Sequence, residues 1–104
     1  MKFIEGVNLE LKQQVVDDVR KTIVAFANTD GGTIYIGIAD DGKVVGVMDV
    51  DGEMLKLSNM IRDSIKPDVT LFTSYECEYI QDKSIIKVVV QKGTESPYFI
   101  KAKG

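Results

Sequence analysis

The chain has 104 residues, with 13 basic and 16 acidic side chains, one cysteine and no histidine. This length predicts one domain with a single hydrophobic core. The lack of histidine excludes a Ser-His-Asp triad and zinc sites built with imidazole. Cys77 alone cannot form an internal disulfide, which is typical of a reducing, cytoplasmic location. No apolar run approaches the roughly 18 residues of a membrane-spanning segment.

Charge is unevenly distributed along the chain. Residues 1–82 carry 8 basic and 15 acidic side chains, whereas residues 83–104 carry five lysines and a single acid, Glu95. The overall acidic balance counts mildly against a nucleic-acid binder, whose usual footprint is basic. A basic segment on an acidic body keeps that function open, and a solvated charged surface is the alternative.

The first third of the chain predicts a strand, a helix and a second strand. Alternating leucines in Leu9–Lys12 are typical of a short strand. Apolar residues recur every three or four positions from Gln14 to Thr29, which predicts an amphipathic helix that ends at Gly31-Gly32. The β-rich run Thr33–Ala39 predicts a central strand buried on both faces.

The middle of the chain predicts a hairpin and a second helix. Asp40-Asp41-Gly42 is typical of a tight turn, after which Lys43–Met48 would return as a strand. A helix is expected to begin near Asp51, as its N-cap, and to continue to Ile65, because Pro67 ends it.

The last third predicts strands. Val69–Ile80 and Ser84–Gln91 are expected to form an antiparallel hairpin, and Tyr98–Ile100 a further strand. The resulting order is β-α-β-β-α-β-β-(β). It predicts an α+β fold with a mixed, mainly antiparallel sheet and two helices.

Two groups of polar residues could carry chemistry. The loop Asn28–Gly32 is typical of a helix cap and turn, although exposed amides in such a turn can also form an anion-binding nest. The carboxylates Glu5, Glu10 and Asp40, with Lys12, could converge if the first strand lies beside the central one. Such a set suits Mg²⁺ or Mn²⁺. Ordinary turn chemistry at Asp40 and a surface ion pair between Glu10 and Lys12 are the alternatives.

The C-terminal segment combines lysines with aromatic residues. Lysines neutralise phosphates, and aromatic rings such as Tyr98 and Phe99 can stack on bases. The lysines that follow the predicted core strand are Lys92, Lys101 and Lys103. Solvated loop residues are the competing interpretation.

Several segments together resemble a known family. They are the Glu5-x4-Glu10-Leu11-Lys12 run, the string Ala25–Thr33 (AFANTDGGT), the stretch Ile36–Gly42 (IGIADDG) and Val45-Gly46-Val47. This combination resembles the Schlafen AlbA-like domain, also called the divergent AAA domain. The similarity extends over nearly the whole chain, and Ser96-Pro97-Tyr98 resembles a Pro-Tyr stretch of the same family.

The resemblance implies a nucleic-acid function. Prokaryotic members commonly stand at the N-terminus of longer transcriptional regulators and are described as DNA-binding. Animal Schlafen relatives use an elaborated form of the domain as an RNA endonuclease. The acidic triad of those relatives corresponds to Glu5, Glu10 and Asp40, with Lys12 beside it.

Two departures from the family pattern are visible. Gly6 stands where members often have Ser or Thr, and no Tyr-x-Arg-x-Gly stretch follows the Pro-Tyr segment. We therefore expect residues 1–104 to be a single domain cut from a longer protein, with other domains of that chain as partners.

Three functions follow as hypotheses. The first is a nucleic-acid-binding domain, for DNA rather than RNA, that uses Lys12, the Asn28, Thr29, Gly31 and Gly32 loop, and the C-terminal lysines. The second is a nuclease dependent on Mg²⁺ or Mn²⁺. The third is an oligomerisation or partner-sensing domain, for instance a homodimer, which the pI of 4.9 favours.

Overall fold

The computed structural model describes residues 3–101 of the chain. Its two helices and its mainly antiparallel mixed sheet confirm the predicted α+β class. The strands are β1 (Leu9–Lys12), β2 (Gly32–Ile36), β3 (Ile65–Lys66), β4 (Thr73–Ile80), β5 (Lys83–Val90) and β6 (Phe99–Ile100). The helices are α1 (Asp18–Asn28) and α2 (Val50–Ser64), and a 3₁₀ turn covers Thr70–Phe72.

Four strands form the main sheet, in the order β1-β2-β5-β4. β1 runs parallel to β2, whereas β5 is antiparallel to both β2 and β4. β3 and β6 form a separate antiparallel pair, with Ile65 opposite Ile100 and Lys66 opposite Phe99. β1 therefore lies beside the central strand, which is the condition for the predicted carboxylates to meet.

Both helices pack on one face of the main sheet. The periodic residues Val19, Ile23 and Phe26 of α1 are buried, as are Leu57 and Ile61 of α2. They join the inward residues of the central strands in the larger core cluster. Burial of these apolar faces supplies the main favourable term for the fold.

The opposite face of the sheet has a smaller core. Phe3, Leu11, Ile38, Val44 and Ile85 pack together there, against a half-buried Tyr35. Ile34 and Ile36 of β2 point to the helices and are fully buried. Both faces of β2 are thus covered, as its continuous apolar sequence predicts.

The predicted strand Lys43–Met48 is wrong. Gly37 (φ +105°) ends β2, and Val44 alone makes an isolated bridge to Ile38. The amides of Val45 and Gly46 both donate to the Gly37 carbonyl, at 2.9 and 2.8 Å, so the chain curls around one acceptor. A ladder needs successive acceptors along one strand, whereas here two amides share one carbonyl and the next, Val47, donates to Ser84 at 2.7 Å.

The starts of both helices also differ from prediction. The amide of Val15 donates to the Glu53 carboxylate at 2.8 Å, which holds the segment before Asp18 outside the helix. Val15 is still buried, so it contributes to the apolar periodicity without being helical. Asp49 caps α2 in place of Asp51, because its carboxylate accepts from the Gly52 amide at 3.0 Å.

Neither helix within residues 3–101 has the length and apolar character needed to cross a bilayer.

Candidate functional site

The pairing of β1 with β2 fixes the direction of Glu10 and Lys12. Glu10 lies opposite Ile34 and Lys12 opposite Ile36, whereas Leu11 lies opposite Tyr35. Since partners in register point to the same face, Glu10 and Lys12 lie on the helix-covered face, at the edge of the sheet. Both are half-buried there.

Glu5 lies against the outer edge of β1. Its Oε2 accepts a hydrogen bond from the Leu11 amide at 3.1 Å, an amide that no neighbouring strand pairs. The turn between Gly6 and Leu9 reverses the chain, so that Glu5 comes back alongside β1. The same turn brings the carboxyl groups of Glu5 and Glu10 close enough for each to shift the pKa of the other.

The two carboxyl groups have pKa values shifted in opposite directions. Burial raises the pKa of Glu10, and the hydrogen bond and negative charge of Glu5 raise it further, with Asp40 adding repulsion. The pKa of Glu5 is lowered, first by the hydrogen bond from Glu10 and then by that from the Leu11 amide. Lys12 favours the charged form of both. The two carboxyl groups therefore titrate as an interacting pair, in which Glu10 is the harder of the two to deprotonate.

Asp40 occupies the tight turn after β2. The Gly42 amide donates to the Ala39 carbonyl at 2.8 Å, and the Ala39 amide donates to the Lys43 carbonyl at 2.9 Å. Gly42 has φ +88°, and a Cβ there would collide with the carbonyl oxygen of Phe3. The turn thus lies against the segment that carries Glu5.

These carboxylates fit a divalent cation in part. Carboxylate oxygens are the ligands that Mg²⁺ and Mn²⁺ prefer, and Glu5 and Glu10 contact each other. Asp40 is exposed and acts on Glu10 through its charge. Across residues 3–101, no three Asp, Glu, Cys or His side chains are gathered closely enough to hold a metal ion.

Asn28 has a structural role. Its side-chain amide donates to the Tyr98 carbonyl at 3.0 Å, and its oxygen accepts from the Tyr98 amide at 2.6 Å. This pair of bonds ties the end of α1 to the start of β6, 70 residues later in the chain. Nucleic-acid contact by Asn28 stays a prediction, and it would compete with these bonds.

The rest of the Asn28–Gly32 loop forms the end of α1. The amides of Thr29 and Gly31 both donate to the Phe26 carbonyl, at 3.2 and 2.9 Å. Gly31 has φ +83°, and a Cβ there would lie 2.5 Å from the Val90 carbonyl oxygen. A Cβ at Gly32 would lie 2.7 Å from the Phe26 ring. These donors are used inside the protein, which favours the cap-and-turn interpretation over an anion nest.

The loop lies at the start of β2, whereas Lys12 and Asp40 lie at its other end and Glu10 lies opposite Ile34 in the middle of the strand. The loop precedes Gly32, whereas Lys12 pairs with Ile36 at the other end of the strand. The two ends are separated by four residue steps, or about 13 Å. Lys12 and the loop therefore do not form one compact patch.

The C-terminal residues differ in their exposure. Tyr98 is only 3% exposed, and its hydroxyl accepts from the Glu95 amide at 3.0 Å, so the expectation that it stacks on bases is wrong. Phe99 is 54% exposed and lies opposite Lys66. Lys101 follows β6, and its amide donates to the Ser64 carbonyl at 2.7 Å. The exposed Lys92 adjoins Gly31, and Lys103 lies outside the described residues.

A sequence model of the family described as Schlafen, AlbA_2 matches residues 5–104. The chain belongs to this family. The matched range includes Glu5, Glu10, Lys12 and Asp40, and the family indicates a nucleic-acid-related domain.

A solved structure confirms the fold of this Schlafen AlbA_2 domain. It is the solution NMR structure of the N-terminal domain of a RecG-related protein from Nitrosomonas europaea. The two chains are 25% identical, with a TM-score of 0.78. The match covers 96% of this chain and 74% of the other.

One residue of this Schlafen AlbA_2 domain was missed by sequence reasoning. From the sequence, Lys66 is only the residue between a predicted helix and Pro67. The pairing of β3 with β6 places it opposite Phe99. No local pattern could have identified it, because it depends on contacts between distant segments.

Proposed function

We propose that this domain binds nucleic acid, with DNA as the favoured polymer, within a regulator of the prokaryotic type. The observation that carries the proposal is the exposed Phe99 of β6, which lies opposite Lys66 in the strand pair and two residues before Lys101. An aromatic ring flanked by cations suits a nucleic-acid strand, because the ring stacks on a base while the ammonium groups neutralise phosphates.

Nearby acidic groups reduce the positive potential only in part. Asp63 lies close enough to Lys66 and Lys101 for their charges to lower its pKa, after the larger effect of its hydrogen bond with Arg62. The Arg62 Nε donates to the Asp63 Oδ1 at 3.0 Å. Three cations therefore surround one carboxylate at this end of α2.

The comparisons support DNA over RNA. The family is nucleic-acid-related, and the name of the Nitrosomonas europaea protein relates it to an ATP-dependent DNA helicase. Lys92 beside the Asn28–Gly32 loop would extend the contact, with Lys12 as a separate phosphate contact at the β1 edge.

The test is a salt titration of affinity for duplex DNA, single-stranded DNA and structured RNA. We expect the logarithm of the association constant to fall linearly with the logarithm of the salt concentration, with a slope of about 0.7 to 0.9 per phosphate contacted. DNA should bind more tightly than RNA at every salt concentration. Absence of binding to all three at about 50 mM salt, where such contacts are strong, would exclude this function for the chain.

Three variants locate the surface. Lys66→Gln and Lys101→Gln should each reduce the salt slope by about one contact, whereas Phe99→Ala should weaken single-strand binding by about 1 to 3 kcal/mol. Lys21→Gln is the matched control, because Lys21 is exposed on α1 away from β6. If Lys21→Gln weakened binding as much as the changes at Lys66, Phe99 and Lys101, binding would depend on overall positive charge and not on this surface.

A second function is favoured by one observation, the contact between the Glu5 and Glu10 carboxyl groups. We propose as the alternative a divalent-metal-dependent endoribonuclease that uses Glu5, Glu10 and Asp40, with Lys12 near the phosphate. Mg²⁺ or Mn²⁺ would supply an activated water at such a site. Glu5 and Glu10 would be its nearest ligands, and a bound cation would offset the repulsion between their two carboxylates.

The discriminating assay is cleavage of structured RNA with Mn²⁺. Glu10→Ala should abolish cleavage, while Glu76→Ala, an exposed acid on β4, should leave it unchanged. A thermal-unfolding scan gives an independent readout, because a bound cation stabilises the native state. Mn²⁺ should raise the Tm of the natural chain but not that of Glu10→Ala. Cleavage that survives Glu10→Ala would exclude this site.

A further inference from the structure

The main sheet has two edges, and only one of them is closed. The edge strand β1 is four residues long, and the carboxylate of Glu5 accepts from its outward Leu11 amide at 3.1 Å. The other edge strand, β4, has eight residues, and within residues 3–101 it pairs with β5 alone. It has no proline and no glycine, and its register with β5 has no bulge. These are the features that usually protect an edge, so β4 is an open one.

The turn between β4 and β5 fixes which backbone groups of β4 face outward. Ile80 and Lys83 flank the two-residue turn Gln81-Asp82, whose φ values of 53° and 63° are those of a type I′ hairpin. The flanking pair of such a hairpin exchanges hydrogen bonds, and bonded pairs then recur at every second residue. The even-numbered residues of β4 are therefore the ones bonded to β5.

The same alternation holds at the other end of β4. The amide of Gln91 donates to the Phe72 carbonyl at 2.7 Å, which again bonds an even-numbered residue. The odd-numbered residues turn their N–H and C=O groups away from the sheet. Within residues 3–101, the backbone amides of Tyr75, Cys77 and Tyr79 have no acceptor. Donors at alternate positions of an open edge are what an added strand pairs with.

A small groove borders the helix-facing side of β4. It lies between β4 and α2 and has a volume of about 120 Å³. Its lining residues are Ser58, Ile61, Arg62, Thr70, Thr73 and Tyr75. The charge of Arg62 is already bonded to Asp63 at 3.0 Å. The groove is smaller than the roughly 300 Å³ of the smallest typical ligand pockets, and it suits a single uncharged side chain.

The opposite side of β4 is acidic. Glu76 and Glu78 both lie there, opposite Lys87 and Ile85. Among residues 3–101, neither carboxylate has a cation within 4.0 Å. The ammonium group of the neighbouring Lys83 donates instead to the Val44 carbonyl at 3.2 Å. Basic side chains directly across from the two glutamates would therefore be stabilising.

A second copy of the chain does not fit this edge. An antiparallel pair of β4 strands that overlapped over their whole length would have one of two symmetric registers. One places Glu76 opposite the second copy's Glu78, and the other places Glu76 opposite its own equivalent. Like charges directly opposite each other are destabilising. The charge of β4 thus favours a basic partner.

We propose that β4 accepts an extended basic peptide of a partner protein as a fifth strand of the main sheet. The peptide backbone pairs with the outward groups of Tyr75, Cys77 and Tyr79. Its basic side chains face the two glutamates, and one of the apolar side chains that alternate with them enters the groove beside α2. The proposal does not depend on either proposed function, because it uses neither Phe99 nor the carboxylates at β1.

The experiment is amide hydrogen exchange of the full chain, followed by NMR, with a capped seven-residue peptide in which lysine alternates with valine or leucine. At a peptide concentration ten times its Kd, exchange at the amides of Tyr75, Cys77 and Tyr79 should slow about tenfold. The amides of Glu76 and Glu78 already bond to β5 and should change little. Slowing of both sets alike would contradict strand addition.

Two modified peptides separate strand addition from attraction between charges. In an extended peptide, the amides of the lysines face one edge and the amides of the apolar residues face the other. N-methylation of the set that faces β4 should weaken binding about tenfold or more, because it removes the donors. N-methylation of the other set should leave binding unchanged. The three peptides have the same charge, so equal affinity for all of them would overturn the proposal.

Variants of the protein test the same edge from the other side. Glu78→Gln should weaken binding severalfold, whereas Asp18→Asn, a mostly exposed acid on α1, should not. Cys77→Pro removes one outward donor and leaves the bonds to β5 in place, so it should also weaken binding about tenfold. The modified peptides keep the test decisive if Cys77→Pro does not fold.

Three further results would overturn the proposal. Equal weakening in Glu78→Gln and Asp18→Asn would assign binding to the overall negative charge. Slow exchange at Tyr75, Cys77 and Tyr79 that depends on protein concentration without peptide would make a second copy the occupant of the edge. Slowing by duplex DNA but not by the peptide would make β4 part of the nucleic-acid surface.

Discussion

The two ends of β2 use their polar residues in opposite ways. At the start of the strand, the Asn28–Gly32 loop directs its amides and the Asn28 side chain to partners inside the protein. Beside the second half of β2, Glu5 and Glu10 lie close together, and beyond its end Asp40 is exposed to solvent. The first group has partners within the fold, whereas the repulsion within the second is offset only in part by the Leu11 amide and by Lys12.

This difference separates two kinds of sequence motif. The AFANTDGG string is the most distinctive in the chain, yet its residues close a helix and hold a neighbouring strand. The acidic residues are scattered over 36 positions; the turn at Gly6–Leu9 brings Glu5 near Glu10, and the pairing of β1 with β2 brings Asp40 within electrostatic reach of Glu10. Four substitutions test this contrast, beginning with the largest expected effect.

Gly31→Ala should destabilise the protein by about 3 kcal/mol. Alanine is strained at φ +83°, and its Cβ would meet the Val90 carbonyl oxygen. Chemical denaturation measures the loss. Gly6→Ala is the control, because a Cβ there has no heavy atom within 4 Å. A neutral Gly31→Ala would contradict the structural role of the loop.

Asn28→Ala should cost about 2 kcal/mol, because it removes both hydrogen bonds to Tyr98. The loss should be accompanied by faster hydrogen exchange at the Tyr98 amide. Asn59→Ala, on the exposed face of α2, should cost much less. If Asn28→Ala weakens DNA binding with no loss of stability, Asn28 would be a contact residue and the contrast would fail.

Glu10→Gln should stabilise the protein at pH 7 by less than about 1 kcal/mol. The folded-state pKa of Glu10 is raised above its ordinary value of 4.5. Stability is therefore lost as pH rises through the window that begins near 4.5 and ends at the raised pKa. A glutamine removes this loss, so its advantage should vanish below pH 4.5. Thermal unfolding across pH measures the difference in stability between the two proteins. If Glu10→Gln were still the more stable one below pH 4.5, the raised pKa of Glu10 would be contradicted.

Asp40→Asn should change stability by less than about 0.5 kcal/mol, because the side chain is exposed. It should nevertheless lower the pKa of Glu10, since Asp40 contributes to raising it. NMR titration of the Glu10 carboxyl carbon checks this shift. An unchanged pKa would show that the turn lies too far from β1 to act on the pair.

Local patterns were sufficient for most of the fold. The apolar spacing in α1 and α2 and the β4–β5 hairpin were predicted because each depends on neighbouring residues. The strand at Lys43–Met48 was wrong for a reason outside its own sequence, since two of its amides converge on the Gly37 carbonyl. The start of α1 was predicted too early, because Val15 fits the apolar spacing of the helix while a distant carboxylate, Glu53, binds its amide.

The residues of the candidate site could be predicted from the sequence, but their arrangement in space could not. The resemblance named Glu5, Glu10, Lys12 and Asp40, and the structure brings the first two into contact. Lys66 could not be found in this way, because its place depends on the pairing of β3 with β6.

The sequence by itself determined the fold class, the family and the chemical repertoire, because periodicity, turn residues and the absence of histidine are properties of the chain. The tertiary structure decided which polar groups have partners. Burial and hydrogen bonding depend on segments far apart in sequence, such as Asn28 with Tyr98 and Glu5 with Leu11. For that reason it was packing that gave the glycine-rich loop its partners inside the protein and left Asp40 exposed to solvent.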